Sequence, residues 1–453
     1  MGHLRGYNQL VNEQRIKDVY LCSLFIWMSG GYFFMRMMLV GSGAVGECIV
    51  EMLAKRDPKK EWFEYCLLCD IDLNHAKEIY EDLNDDRFEY AYVDATNKEM
   101  MVNLIQEHNI TFVMDASSPF CANYIFDAAY MAKVDYANMG TWSVPMKNPN
   151  YGLGIENSYT EPMTKYNFDR SEAWEKQGNQ AIICLGIDPG VVNVFAKYLC
   201  EYEFDEVKEL HVRDGGNLEI ENANPDDIVF GFNVWTVLDE VMNPNVEYDK
   251  SKGGFIVEKA FAGQETLPMP RVGNNTFVKV EHEEVVTMSK YLSQYGLENC
   301  TFKISLDENL INALKVLDKL NLNSIYPVNV RGVDVVPRDV IAACAPQPKN
   351  IGNEMKGAMC VGVLAKGIKD GKEKKLMMYQ YYSNEVAMKQ FGLQAVVAQT
   401  GFGAALAIEL YAKGIYNLKG VHSLEAFDPM PYLNLMKETG FEFAIEDYTN
   451  IKC

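Results

Sequence analysis

From Met35 to Gly186 the chain alternates short apolar runs with stretches of helical periodicity, and this alternation leaves it few folds to choose from. The apolar runs are MRMMLVG, CLLCDID, FEYAYVDAT, ITFVMDAS, VDYANM and QAIICLG; between them lie GECIVEMLAKR, NHAKEIYEDL, KEMMVNLIQEH and ANYIFDAAYMAK. Strand and helix in strict turn build right-handed βαβ units, and hence a parallel sheet. The fold class is α/β, a doubly wound parallel sheet. Thr141 to Arg170, rich in Pro, Asn and Gly, reads as a long loop before a helix and the QAIICLG strand. After Gly190 the pattern changes to VKELHVRDGG, TFVKVEHEE and TFKISL, which alternate polar and apolar residues as half-exposed strands do and mark a second domain. Met359 to Tyr382 reads as a β-hairpin turning at Asp370-Gly371, and two helical stretches, ALAIELYAKG and PYLNLMKETG, follow.

A formal net charge of −21 excludes a nucleic-acid partner, because neutralising a phosphate backbone takes clustered Lys and Arg. The eleven cysteines form neither a disulfide framework nor two paired Cys-x-x-Cys motifs; Cys66 and Cys69 stand alone at that spacing, and no metal site is expected. They read as reduced thiols of a soluble metabolic enzyme in the cytoplasm. Val19 to Met28, preceded by Arg15 and Lys17, is too short to span a bilayer and lacks a small-residue cleavage site, so no membrane association is expected. Ser29-Gly30-Gly31-Tyr32-Phe33-Phe34-Met35 can be encoded by a purine-rich ribosome-binding sequence, a T-rich spacer and a start codon. Native translation is therefore expected to begin at Met35, leaving residues 1–34 as a non-native extension.

Gly41-Ser42-Gly43-Ala44-Val45-Gly46 follows the first strand and opens the first helix, the context in which a glycine fingerprint binds a dinucleotide. Gly41 permits the tight turn, Gly43 lets backbone approach the pyrophosphate, and Gly46 lets helix and strand pack closely; the helix N-terminus favours the negative charge. Asp70 ends the second strand at roughly the ~20-residue spacing where an acid meets the adenosine ribose hydroxyls. A carboxylate there repels a 2′-phosphate and favours NAD, with NADP the second choice. The competing role for Asp70 or Asp72 is to cap the next helix. Asp94-Ala95 is placed to contact adenine, and Ser117-Ser118-Pro119 lies where the nicotinamide end is expected.

Gly186-Ile187-Asp188-Pro189-Gly190 ends a buried strand before the helix VVNVFAKYLC. Pro189 removes an amide donor and Gly190 permits unusual backbone, so the segment presents Asp188 at the sheet edge; plain helix capping is the alternative. GIDPGVVNVFA closely resembles the G-x-D-P-G segment of the saccharopine dehydrogenase family, which includes saccharopine reductases, carboxynorspermidine dehydrogenases and lysine 6-dehydrogenase-like enzymes. The resemblance runs from about Met35 to the C-terminus, through Asp214-Gly215-Gly216, Glu281-His282-Glu283-Glu284, Thr400-Gly401, and Gly420-Val421 with Glu425.

That resemblance implies a Rossmann domain made of residues 35–190 and 392–453, interrupted by an inserted α+β substrate-binding and dimerisation domain at 191–391, in a homodimer. It also implies NAD(P)-dependent hydride exchange with a carbon bonded to nitrogen in an amino-acid-derived substrate, through an imine, in lysine or saccharopine metabolism. Asp188 and His282 are the catalytic candidates, with Pro189 and Gly190 beside the substrate; His282 titrates near neutral pH and can exchange a proton, and a solvated structural histidine flanked by Glu281, Glu283 and Glu284 is the equal alternative. Carboxylate anchoring calls for guanidinium forks, for which Arg213, Arg271 and Arg338 are candidates. NADPH-using saccharopine reductases tend to carry Arg where Asp70 stands. Two rival readings remain: a carboxynorspermidine-type polyamine dehydrogenase, whose usual Cys-Asn-Ala-Gly segment is Asp214-Gly215-Gly216-Asn217 here, and a dinucleotide-binding sensor without turnover.

Overall fold

The computed structural model describes residues 34–142, 163–221, 228, 230–232, 234–345 and 352–451. The extension expected at residues 1–34 lies, apart from Phe34, outside the described residues, as does most of the long loop read at 141–170. The first unit is built from β1 (Met35–Val40), α1 (Ala44–Arg56), β2 (Phe63–Asp70), α2 (Leu73–Leu83), β3 (Phe88–Tyr92), α3 (Lys98–Glu107), β4 (Phe112–Asp115), α4 (Pro119–Ala132), β5 (Asp135–Asn138) and β6 (Gln180–Ile182). All six strands run parallel, in the order β6-β5-β4-β1-β2-β3. The apolar runs are continuous because both faces of the sheet are covered. In β1, Met37 and Leu39 enter one core layer, Met38 and Val40 the other. In β2 the same alternation sends Cys66 and Cys69 to opposite layers, so they cannot share a ligand. Burial pushes both thiols up, and they behave as small apolar side chains.

The second unit begins after α5 (Val191–Tyr198). Its mixed sheet contains β7 (Glu206–Gly216), β8 (Asn245–Asp249), β9 (Gly254–Glu258), β10 (Glu265–Met269), β11 (Gly273–Lys279) and β12 (Asn299–Ser305), with α6 (Val234–Met242) and α7 (Glu284–Leu292) between strands. The hairpin β13 (Ala358–Lys369) and β14 (Lys372–Ser383) completes its centre, turning at Asp370 (φ 51°) and Gly371 (φ 71°), the positive-φ pair a tight hairpin requires. The chain then returns to the first unit: α8 (Ala395–Ala412) lies along α1, and β15 (Gly420–His422) pairs parallel with β6 as a seventh strand. Gly401 makes this return possible, since a Cβ there would stand 2.6 Å from Cβ of Cys48. Helix α8 is long and apolar enough to cross a bilayer, but 78% of it is buried, and it is a core helix between the two units.

The expected boundary needs one correction. After α9 (Pro429–Thr439), β16 (Phe443–Asp447) pairs antiparallel with β14. The last strand therefore extends the second sheet rather than the parallel one: its half-exposed residues suit an edge of an open sheet, not a strand covered on both faces. One continuous apolar core, from Met37 and Leu39 through Val194, Leu406 and Met436 to Val363 and Met378, joins the units.

Candidate active site

The carboxyl edge of the parallel sheet, where the strand order reverses beside β1, is where ligands of open α/β sheets bind, and the glycine turn sits there. Gly41 has φ +99°, and a Cβ on it would stand 2.6 Å from the carbonyl oxygen of Ala116. A Cβ on Gly46 would stand 2.3 Å from the carbonyl oxygen of Gly41, so that glycine lets the helix start against the turn. Gly43 differs: a Cβ there meets nothing within 4 Å. The first bond within α1 runs from the Glu47 amide to the Gly43 carbonyl (2.9 Å), leaving the preceding amides, among them those of Ala44 and Val45, without an intrahelical acceptor at the positive end of the helix. Open space above Gly43 and these amides fit the pyrophosphate of a dinucleotide.

Asp70 is fastened to this turn. Its Oδ2 accepts the Ser42 amide (2.7 Å) and its Oδ1 the Asp72 amide (2.8 Å), while Asp72 caps α2 by accepting the Asn74 amide (3.0 Å). The two roles weighed in the sequence thus divide, with Asp72 as the cap and Asp70 beside the cofactor turn. Asp94 accepts from the amide and hydroxyl of Thr96, shaping the turn that carries Ala95 at the end of β3. Ser117 and Ser118 follow β4. Buried Asp115, which sequence reasoning passed over, accepts from the Ser117 hydroxyl (2.6 Å) and amide (2.9 Å) and from the Tyr136 hydroxyl (3.1 Å). Burial pushes its carboxyl up to about 6 despite those donors.

Strand β6 stops earlier than QAIICLG suggests, because Cys184 takes φ +69° and gives its amide to Asn138 Oδ1 (2.9 Å). The chain then loops so that Gly186 bridges Gly190, with Asp188 and Pro189 at the apex. Gly190 has φ +143°, and a Cβ there would overlap the Gly186 carbonyl oxygen at 2.1 Å, so only glycine closes this loop. Asp188 does not cap α5; the cap position is Gly190.

Around Asp188 the second unit gathers an acidic cluster. Asp214 on β7 shares the pleat face of Leu210 and Val212 and so points into the core between units. Glu284 opens α7, Glu240 lies on α6, and His282 stands between them. The His282 ring stacks on Phe302 with centroids 3.8 Å apart; its Nδ1 is 2.5 Å from Glu284 Oε2 and its Nε2 3.7 Å from Glu240 Oε1. At 7% exposure this is no solvated histidine. Burial opposes its charge, but Glu284 and Glu240 outweigh burial and hold the imidazole protonated, well above its usual range. Asp188 is held well above the carboxylate range by burial and by Asp214, and burial with Glu240 and Glu284 pushes Asp214 up to about 7. Asp188 Oδ2, Asp214 Oδ1 and Glu284 Oε1 are buried without a hydrogen-bond partner among the described residues. Neighbouring Glu283 plays a different part, since its Oε1 accepts the Thr141 amide (2.6 Å) and ties the segment after β5 to the start of α7.

The arginine candidates fall elsewhere. Arg213 is one residue out of phase with Asp214 and points from the opposite face of β7, where Glu265 (2.5 Å), the Val212 carbonyl and Thr301 engage it. Arg271 stacks on Tyr381 (3.5 Å to the centroid), and Tyr381 lies on that same far face, in the row with Cys360 and Gly215. Arg338 is buried and donates to the Asn323 carbonyl (2.6 Å). Strand parity turns the first two away from the acidic cluster, and the substrate roles expected for Arg213 and Arg271 are withdrawn. His282, Glu283 and Glu284 bring three donor atoms within 4.8 Å of one another, a spacing a metal could use. Two of these atoms are engaged within the protein, since Glu284 Oε2 meets His282 Nδ1 and Glu283 Oε1 accepts the Thr141 amide.

A glycine cradle at the sheet edge, with an acid-imidazole cluster of the second unit beside the Asp188 loop, is the arrangement of a dinucleotide-dependent oxidoreductase. Residues 37–181 match the saccharopine dehydrogenase NADP binding domain and residues 186–441 the saccharopine dehydrogenase C-terminal domain, and the chain belongs to the saccharopine dehydrogenase family. It is an NAD(P)-dependent oxidoreductase acting on a carbon–nitrogen bond. Among its relatives are carboxyaminopropylagmatine dehydrogenase of Synechocystis sp., 26% identical over 89% of this chain and 96% of that one, and carboxynorspermidine synthase of Vibrio alginolyticus, 25% identical over 91% and 97%. The carboxynorspermidine synthase of Vibrio cholerae is 25% identical over 90% of this chain and 95% of its own. The fold is that of saccharopine dehydrogenase (L-Glu forming) from Saccharomyces cerevisiae, with a TM-score of 0.64, 13% identity and coverage of 91% of this chain and 99% of that one.

Proposed function

We propose that the enzyme reduces the imine formed between a polyamine-like amine and a carboxylate-bearing aldehyde, the second of the three readings drawn from the sequence, and that lysine and saccharopine are not its substrates. The observation that carries this is the excess of carboxyls in the cluster: half-buried Asp188, Asp214 and Glu240 and buried Glu284 face one imidazolium, with one oxygen each of Asp188, Asp214 and Glu284 buried and unpartnered among the described residues. Charge buried without a partner is costly, and a cationic amine supplies the missing partner. The names of the relatives, carboxynorspermidine and carboxyaminopropylagmatine enzymes, support the same substrate class.

Bound NAD(P) supplies the hydride. Asp188, at the apex of its loop, gives up its proton when the cationic iminium binds beside it and stabilises that cation as its carbon is attacked, while Asp214 and Glu240 hold the ammonium groups along the substrate. His282, charged and donating to Glu284, fixes that carboxylate and supplies a proton to the product amine. The Thr141–Glu283 contact ties the cofactor unit to the second unit beside this cluster. Absorbance at 340 nm with NADH and with NADPH tests this reading. Turnover is expected with diamines plus aspartate semialdehyde; turnover with lysine or saccharopine alone would return the enzyme to the first reading, and cofactor binding without any turnover would support the sensor.

We also propose a cytoplasmic homodimer. The nine described cysteines are all free, and Val316, Leu320, Val328, Val330 and Val333 expose apolar side chains on the second unit. Light scattering of the purified protein tests the dimer.

A further inference from the structure

Helix α5 begins VVNVFA, and the one polar side chain in that run, Asn193, is fully buried. A polar residue in so apolar a setting must be satisfied locally. Its Oδ1 accepts the Gly190 amide (2.7 Å), and its Nδ2 donates to Glu425 Oε1 (2.6 Å) and Thr287 Oγ1 (2.9 Å). One side chain thus joins three distant parts of the chain: the Asp188 loop, helix α7 that follows His282, and the turn Leu424–Ala426 beyond β15. Glu425 is 1% exposed, and among the described residues no Lys or Arg is bonded to it. A carboxylate in that position is expensive to bury, whereas a neutral amide of the same shape would pack as well. Burial pushes this carboxyl up, while hydrogen bonds from Asn193, Ser423 and Thr287 favour its charged form; in that form it makes a charge-assisted bond of about twice the usual strength on Asn193.

We propose that Asn193 and Glu425 are positioning residues for the reaction, holding the Gly190 amide so that the loop presents the Asp188 carboxylate to the substrate nitrogen. The loop has two ends that meet at the Gly186–Gly190 bridge. The upstream end is fixed by β6 and the Cys184–Asn138 bond; the downstream end is Gly190, whose amide Asn193 holds. The Val191 and Val192 amides, bonded to the Gly186 (3.0 Å) and Ile187 (3.1 Å) carbonyls, close the loop from the helix side; the Asn193 bond adds the hold on the Gly190 amide itself, and without it the Pro189–Gly190 peptide at the apex can tilt and carry Asp188 with it. The proposal rests on the role given to Asp188 above.

The test is an exchange of donor and acceptor in the full-length enzyme. Asn193→Asp keeps an acceptor for the Gly190 amide but sets two carboxylates against each other. Adding Glu425→Gln restores a donor, since the new amide at position 425 and the Thr287 hydroxyl can both donate to the new carboxylate at position 193. The single variant is expected to lose about 10²-fold in kcat, the effect of a reacting group misplaced by about 1 Å, with KM for the nicotinamide cofactor within about threefold of wild type. The double variant is expected to recover kcat to within about fivefold. Near-wild-type kcat in the single variant overturns the proposal. So does a double variant that recovers Tm but not kcat, because the network would then serve the fold alone. If Asn193→Asp does not fold, a folded double variant decides by the same kcat criterion. If the wild type turns over none of the amine substrates, the proposed function fails on its own, and crystal structures decide the positioning: Asp188 displaced by about 1 Å in the single variant and restored in the double supports it, and Asp188 in the same place in both overturns it.

Discussion

Gly43→Val separates the cofactor function of the glycine turn from its structural function. Gly43 sits at φ −81° and ψ −177°, ordinary extended backbone that valine adopts readily, and a Cβ there meets nothing within 4 Å. The fold therefore loses only the preference for glycine over valine at a helix N-cap, about 1 kcal/mol. Cofactor binding loses far more. The added branches occupy the space through which the first-turn amides reach the pyrophosphate, and each hydrogen bond to a charged phosphate contributes about 1.5–3 kcal/mol. Losing two weakens binding by about 3–6 kcal/mol, or roughly 10²- to 10⁴-fold in Kd. Gly46→Ala has the opposite signature, because its Cβ would stand 2.3 Å from the Gly41 carbonyl oxygen, backbone that cannot step aside. It is expected to cost about 1–3 kcal/mol of stability. Fluorescence titration with NADH and NADPH, beside urea unfolding, measures both. A Gly43→Val enzyme that binds the cofactor within about threefold of wild type, or that loses stability as Gly46→Ala does, would refute the reasoning.

Four further outcomes are expected. Wild type should bind NADH more tightly than NADPH, and Asp70→Arg should erase or reverse the preference; equal wild-type affinities remove Asp70 from the ribose site. Asp188→Asn should lower kcat by ~10²–10⁴ while leaving NADH affinity almost unchanged, and a near-normal kcat would leave Asp188 a structural residue. Asp214, pushed up to about 7 by burial and its acidic neighbours, loses its charge as pH falls through that value, so KM for the amine should rise on the acid side. Asp214→Asn should flatten that rise; an unchanged profile excludes it from substrate binding. Asp115 is raised from 3.8 to about 6, so between those pH values the folded state binds more protons than the unfolded chain, and stability falls as pH rises through the window. Compared with Asp115→Asn, wild type should gain up to about 3 kcal/mol on going from pH 7 to pH 3.5, read by urea unfolding at each pH. A pH-independent difference would show that Asp115 does not titrate in this range.

Local pattern alone determined the parallel sheet, the cofactor turn and the hairpin. Period-2 and period-3.6 apolar repeats report which faces are buried, Gly41-x-Gly43-x-x-Gly46 is a short-range steric requirement, and Asp370-Gly371 supplies its own positive φ. The substrate side was legible only in fragments. Asp188 was found through its G-x-D-P-G setting and His282 through its titration near neutral pH, but Asp214, Glu240 and Asp115 are single acids whose meaning comes from what packs against them. Some signals were available: Asp214 occupies an apolar parity position two residues after Val212, and Asn193 interrupts an otherwise apolar run. Arginine type alone misled, because whether Arg213 could meet a substrate depended on strand parity relative to a site assembled from other segments. Only the tertiary structure brought Asp188, Asp214, Glu240, His282 and Glu284 into one cluster, turned Arg213 and Arg271 away from it, and sent Phe443–Asp447 to the second sheet. Those outcomes rest on long-range pairing and on electrostatics in a low-dielectric interior, where a charge takes its character from neighbours up to hundreds of residues away in the chain.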